Sequence, residues 1–145
     1  MLLAYFCCRS QLLDIQTKVE FMPWHTIVHS DLPIIETCYS GVLKNSDLFD
    51  VVHETLALAQ THGRHLFLGD CTTLAGGHSM FDLYYLAKEI SSNNISRTFK
   101  EAVLLSPTPT FLDKINFWET IGINRGFRVR IFRDRQKAVD WLVAE

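Results

Sequence analysis

The sequence predicts an α/β domain built on a mixed sheet, and three observations carry that expectation. Leu66-Phe67-Leu68 and Ala102-Val103-Leu104-Leu105 are short continuous apolar runs, the pattern of strands covered on both faces of a partly parallel sheet. Around them stand stretches whose apolar residues recur every three or four positions, the period of amphipathic helices. Ahead of both, two runs rich in β-branched and aromatic residues flank the polar pair Ser30-Asp31 and read as a hairpin. The expected order is ββαβαβαβα, an N-terminal hairpin followed by βαβαβα units whose parallel strands are joined by right-handed crossovers.

Each element has its own signal. Trp24 to His29 and Leu32 to Ser40 form the hairpin, and Gly41 is expected to end it. Asn45-Ser46-Asp47 caps a helix in which Phe49, Val52, Leu56 and Ala59 keep the helical period, and Gly63 stands where a C-terminal glycine stop belongs. The strand at Leu66 leads into a loop with two glycines, then a helix carrying Met80, Leu83, Tyr84, Ala87 and Ile90 on one stripe as far as the loop residues Ser91 to Asn94. After Pro107, Thr110 and Asp113 suggest a cap for a third helix with Phe111, Ile115, Trp118 and Ile121 inward, ending at Gly122. In the last strand Phe127, Val129 and Ile131 alternate with Arg128 and Arg130, so one face is wet and the strand belongs at or near an edge. Asp134 caps the closing helix through Ala138, Val139, Trp141 and Leu142.

Composition narrows the classes of function. A chain of 145 residues fits one domain, and at that size about 68–70% of the unfolded surface is buried, enough for a core without staples. The formal charge of −2 gives no global attraction to nucleic acid or to an anionic membrane, so neither is expected as a partner. Cys7, Cys8, Cys38 and Cys71 form no C-x-x-C pair and have no histidines at zinc spacing, so no disulfide framework, metal or other cofactor is expected, and a reducing cytoplasm suits them. The opening MLLAYFCCRS is too short to span a membrane and poor as a secretory signal, which argues against an integral membrane protein. Met22-Pro23 precedes the first strand, so residues 1–21 read as an N-terminal extension and residues 22–145 as the domain.

The strand-loop-helix at residues 66–90 and the closing NRGFRVRIFRDRQKAVDWL at 124–142 resemble the STAS domain superfamily, and more closely the small bacterial SpoIIAA-like proteins related to anti-sigma-factor antagonists, a group also associated with the CRAL-TRIO lipid-transfer fold. The resemblance covers about Met22 to Glu145 and implies a non-enzymatic regulatory module that binds proteins. Antagonists of this kind carry Asp-Ser-Ser-Gly at the start of the second main helix, with a serine that a partner kinase phosphorylates. Here that stretch is Gly76-Gly77-His78-Ser79, so Ser79 would inherit the role, without the preceding aspartate.

The residues themselves leave several readings of this turn. Ser79 with Asp82 is a Ser-x-x-Asp capping box, which needs no further function. A phosphate on Ser79 would meet the positive end of a helix and repel a partner docked over it. Gly76-Gly77 matches neither dinucleotide nor P-loop glycine spacing, so a nucleotide site is weakly supported. Asp70, Cys71 and His78 would supply a thiol nucleophile and base if the fold brought them together. Arg125, Arg128 and Arg130, with Arg133, Arg135 and Lys137 nearby, make a basic patch that guards an edge strand or grips an acidic group. Phe81, Tyr85, Phe111 and Phe117 would line a groove between the second and third helices for a lipid tail or partner helix.

The expectation is therefore a cytoplasmic STAS-like module that docks to another protein or to itself through the loop and helix starting near Gly76, using Asp70, Gly76, Gly77, His78, Ser79, Phe81 and Tyr85, with Ser79 as a regulatory site. The alternative is a binder or carrier of a small apolar, lipid-like or anionic ligand.

Overall fold

The computed structural model describes residues 22–93 and 97–145; the expected extension, with Cys7 and Cys8, lies outside them, as does Asn94. Among the described residues five strands and four helices follow in the order the sequence predicts: β1 (Trp24–Val28), β2 (Ile34–Val42), α1 (Asn45–His62), β3 (Leu66–Gly76), α2 (Met80–Ser91), β4 (Lys100–Leu104), α3 (Leu112–Asn124), β5 (Arg128–Phe132) and α4 (Arg135–Val143). Their sheet runs β1-β2-β3-β4-β5, with only the β1–β2 pair antiparallel. The hairpin turn is pinned from outside, because Arg64 donates from one guanidinium nitrogen to the carbonyls of His29, Leu32 and Ile34 at 2.6, 2.9 and 3.0 Å.

Strand alternation divides the core in two. Ile35, Phe67, Val103 and Val129 face α1, α2 and α3 and form the larger apolar cluster, while Ile34, Leu66, Leu68, Ala102 and Leu104 face α4. We refer to these as the three-helix face and the α4 face. Burial on both sides explains the unbroken apolar runs of β3 and β4, and β5 is an edge strand with Arg128 and Arg130 exposed. Lys100 is buried, and its ammonium donates to the Leu142 and Ala144 carbonyls at 3.2 and 2.7 Å, holding the negative end of α4.

Several local expectations are corrected. Gly41 does not end β2: Ser40, Gly41 and Val42 continue to pair with Thr73, Leu74 and Gly76 across two register shifts, and β3 runs through most of the expected glycine loop. Asn45 is already helical; the cap is Lys44, whose backbone N–H donates to Asp47 at 2.9 Å. Thr110 does not cap α3 but points its hydroxyl at the Ala75 carbonyl, 3.4 Å away, and Phe111 holds the cap position. Gly122 does not end α3 but lies inside it, where a methyl group would stand 2.9 Å from the Val129 side chain. Met80 and Tyr84 face outward, and Leu86 takes their place in the buried stripe of α2. Gly63 ends α1 in the left-handed conformation with φ of 61°, and Asp134 caps α4 by accepting from the Lys137 N–H at 2.9 Å, both as the sequence predicts.

Candidate functional site

The connection from β3 to α2 is three residues long, Gly77-His78-Ser79, and it is tightly seated. Gly77 adopts φ of 107°, and a Cβ there would strike the Leu43 carbonyl and lie 2.6 Å from a Val42 methyl, so only glycine fits. His78 is buried, edge-on to the Phe111 ring. Ser79 closes the expected capping box: its Oγ accepts from the Asp82 N–H at 3.2 Å and donates to the Asp82 carboxylate at 2.6 Å, while its own N–H donates to the same carboxylate at 2.8 Å.

Beyond the cap, the outer surface of α2 is apolar and open. Phe81 is 77% exposed and Tyr85, one turn later, 57%; Met80 and Tyr84 are exposed beside them. Tyr84 packs edge-on against Tyr85 and carries Arg125 over its ring at 5.2 Å. Phe111 is buried in the core and Phe117 half-buried, so they do not join Phe81 and Tyr85 in one groove. A pocket lined mostly by buried residues lies elsewhere.

That space is a cavity of about 90 Å³ between the sheet and α1, α2 and α3. Its wall is apolar, with Leu56, Phe67, Leu83 and Ile115 among its residues, but Glu101, His78, Cys71 and Tyr39 also line it. Trp118 donates its indole N–H to Glu101 Oε2 at 2.8 Å, and Oε1 leans over Gly69, where the absence of a side chain makes room. Burial pushes the Glu101 carboxyl up to about 7, against the indole hydrogen bond that pulls it down. Burial also pushes the Cys71 thiol up, and it holds His78 below the ordinary imidazole range, with Lys114 adding to that effect. Among the described residues His78 Nδ1 has no hydrogen-bond partner.

On the α4 face a second buried glutamate sits in different company. Glu36 accepts from Arg135 at 2.6 Å and is held at 2.7 Å by His29 Nε2; the same guanidinium reaches Asp70 at 3.5 Å. Burial alone would raise the Glu36 carboxyl, but the Arg135 and His29 bonds outweigh it and hold it below the ordinary carboxylate range. Cys38 points its thiol at Glu36, 3.6 Å away, and burial beside these acids pushes that thiol up to about 11. Glu36, Cys38 and Asp70 converge closely enough to bind a cation, but the Arg135 guanidinium already supplies positive charge to both carboxylates.

The predicted site residues therefore separate. Asp70 points to the α4 face and Cys71 to the three-helix face, because neighbours in a strand alternate, so the thiol, base and acid expected for catalysis are not assembled. Gly76, Gly77, His78 and Ser79 form the joint, with Phe81 and Tyr85 on the surface beyond it. The basic residues also diverge: Arg128 and Arg130 lie side by side on β5, Arg125 lies over Tyr84, Arg133 bonds the Ser106 and Pro107 carbonyls, and Arg135 bonds Glu36. Sequence reading missed Glu36 and Glu101. Their only signal is a charge set inside an apolar strand run, a pattern that implies either a partner or a displaced pKa.

In a search of solved structures, the fold is similar to that of an uncharacterised protein of the DUF3478 family with a SpoIIAA-like fold from Shewanella loihica, at 19% identity and a TM-score of 0.53, covering 82% of this chain and 91% of that one. The chain thus has a SpoIIAA-like α/β fold. No protein-family model matches the sequence, and no curated protein matches it. Among the described residues, no helix is long and apolar enough to cross a membrane.

Proposed function

We propose that this STAS-type module is a non-enzymatic, cytoplasmic regulator that docks to another protein through the first two turns of α2. The observation that carries this reading is the exposure of Phe81 at 77% and Tyr85 at 57% on one side of a helix whose start is rigidly capped. Aromatic side chains dominate the energetics of protein interfaces because they bury much area at little rotamer cost. Two of them a turn apart form an i, i+4 anchor of the kind that a hydrophobic groove accepts.

Ser79 is the regulatory residue in this reading. Phosphorylation would break the hydroxyl's bonds to Asp82 and set about −1.5 to −2 charges beside that carboxylate, next to the docking aromatics. Arg128 and Arg130 keep the β5 edge from pairing with other strands and stay outside the interface.

The test pairs the wild-type chain with a Phe81→Ser, Tyr85→Ser double variant, using cross-linking from a cytosolic extract followed by reconstitution with the captured protein. The expected result is a Kd at least about tenfold weaker for the double variant, with thermal stability unchanged. Ser79→Asp is expected to weaken the same complex. Equal affinity of wild type and double variant would remove the proposal, and a wild-type dimer that the double variant abolishes would identify a second copy as the partner.

A further inference from the structure

We propose that the cavity under the three-helix face is a binding site for one compact, uncharged molecule: a small ring or short chain carrying a single hydroxyl group. The site lies between the sheet and the three helices, its lining includes neither Phe81 nor Tyr85, and it stands independently of the docking surface. Four observations lead to it.

The first is size. A cavity of about 90 Å³ is smaller than the engineered apolar cavity of about 150 Å³ that takes up benzene, so it suits a ligand of that scale or less and excludes a whole lipid. The second is the wall, apolar on most sides, with side chains from all three helices and from the sheet. The third is the polar set. His78 is 4% exposed and its Nδ1 has no partner among the described residues, a costly state for a buried ring nitrogen. Glu101 lines the same space, with one carboxyl oxygen taken by Trp118 and the other above Gly69. A hydroxyl both donates and accepts, so one such group can serve the ring nitrogen in either tautomer. The fourth is charge. Among the described residues no lysine or arginine lines the cavity, so a carboxylate or phosphate would enter beside Glu101 with no compensating cation from them. Waters filling the same volume are the competing occupant, and a mainly apolar wall offers them few of the partners they need.

The experiment titrates the ¹⁵N-labelled full chain with phenol, benzene and benzoate while following the Trp118 indole N–H resonance. Phenol is expected to give saturable shifts with a Kd at least about tenfold lower than that of benzene, and benzoate none. His78→Phe is expected to erase the preference for phenol. Should that variant fail to fold, wild-type crystals soaked in phenol provide the second readout, with density for the ring in the cavity expected. Absence of a saturable phenol shift, equal affinity for phenol and benzene, or only water in the soaked cavity would overturn the proposal.

Discussion

The two faces of the sheet each bury a glutamate and treat it in opposite ways. On the α4 face, Glu36 has a guanidinium and an imidazole within hydrogen-bond reach, so its charge is retained and its pKa falls. On the three-helix face, Glu101 has one neutral indole donor and an apolar surround, so its charge is resisted and the carboxyl rises to about 7. Burial raises both, and the partner decides the outcome. The difference follows from coverage. A single short helix on the α4 face lets an exposed Arg135 reach inward from its first turn, whereas three helices on the other face leave room only for uncharged neighbours and a cavity.

The strongest way to break this comparison is to remove the cation. Arg135→Ala leaves the Glu36 charge with only His29 and the Cys38 thiol and is expected to cost about 2–4 kcal/mol in urea unfolding at pH 7, with Glu36→Gln in the same background recovering part of the loss. A cost near zero would mean that Glu36 does not depend on its arginine. The same ion pair predicts an acid limb. Because the folded-state pKa of Glu36 lies below its ordinary 4.5, its contribution is present above pH 4.5 and is lost as pH falls through the lower, folded value.

Glu101 carries the opposite sign. Its folded pKa is raised from 4.5 to about 7, so the stability associated with its protonated form is complete below pH 4.5 and lost as pH rises through about 7. Glu101→Gln keeps an acceptor for Trp118 and does not titrate. It is expected to be more stable than wild type by about 1–3 kcal/mol at pH 8, with the gap closing toward pH 4.5, as read from urea midpoints across that range. A gap independent of pH would show that the glutamate is ionised throughout.

Two smaller effects sharpen the picture. Ser79→Ala removes the hydroxyl from the α2 cap and is expected to cost about 1 kcal/mol by thermal unfolding. Arg128→Ser with Arg130→Ser, on the exposed edge, should change stability by less than about 0.5 kcal/mol, while light scattering reports increased association through the unguarded strand.

Much of the fold is legible in the sequence because burial on both faces writes itself as unbroken apolar runs, and one-sided burial as alternation. Leu66 to Leu68, Ala102 to Leu105 and the arginine-spaced β5 are read in this way, as are the Gly63 stop and the Ser79 and Asp134 caps. The second half of β3 is not legible, because beyond Asp70 the strand pairs only with the end of β2, across two register shifts, and no unbroken apolar run marks it. The candidate site is legible in part. The outward face of Phe81 and Tyr85 depends on how α2 is rotated, which Leu86 decides by packing, and the two glutamates take opposite roles through partners 17 and 99 residues away. Such distances leave no local trace.

The most direct measurement is a ¹³C titration of the glutamate carboxyl resonances in the full chain, with Glu36→Gln and Glu101→Gln used for assignment. The account predicts one carboxyl titrating near pH 7, belonging to Glu101, and one titrating below the ordinary 4.5, belonging to Glu36. Two glutamates titrating together near 4.5 would contradict it, since the faces of the sheet would then impose the same environment on a buried acid.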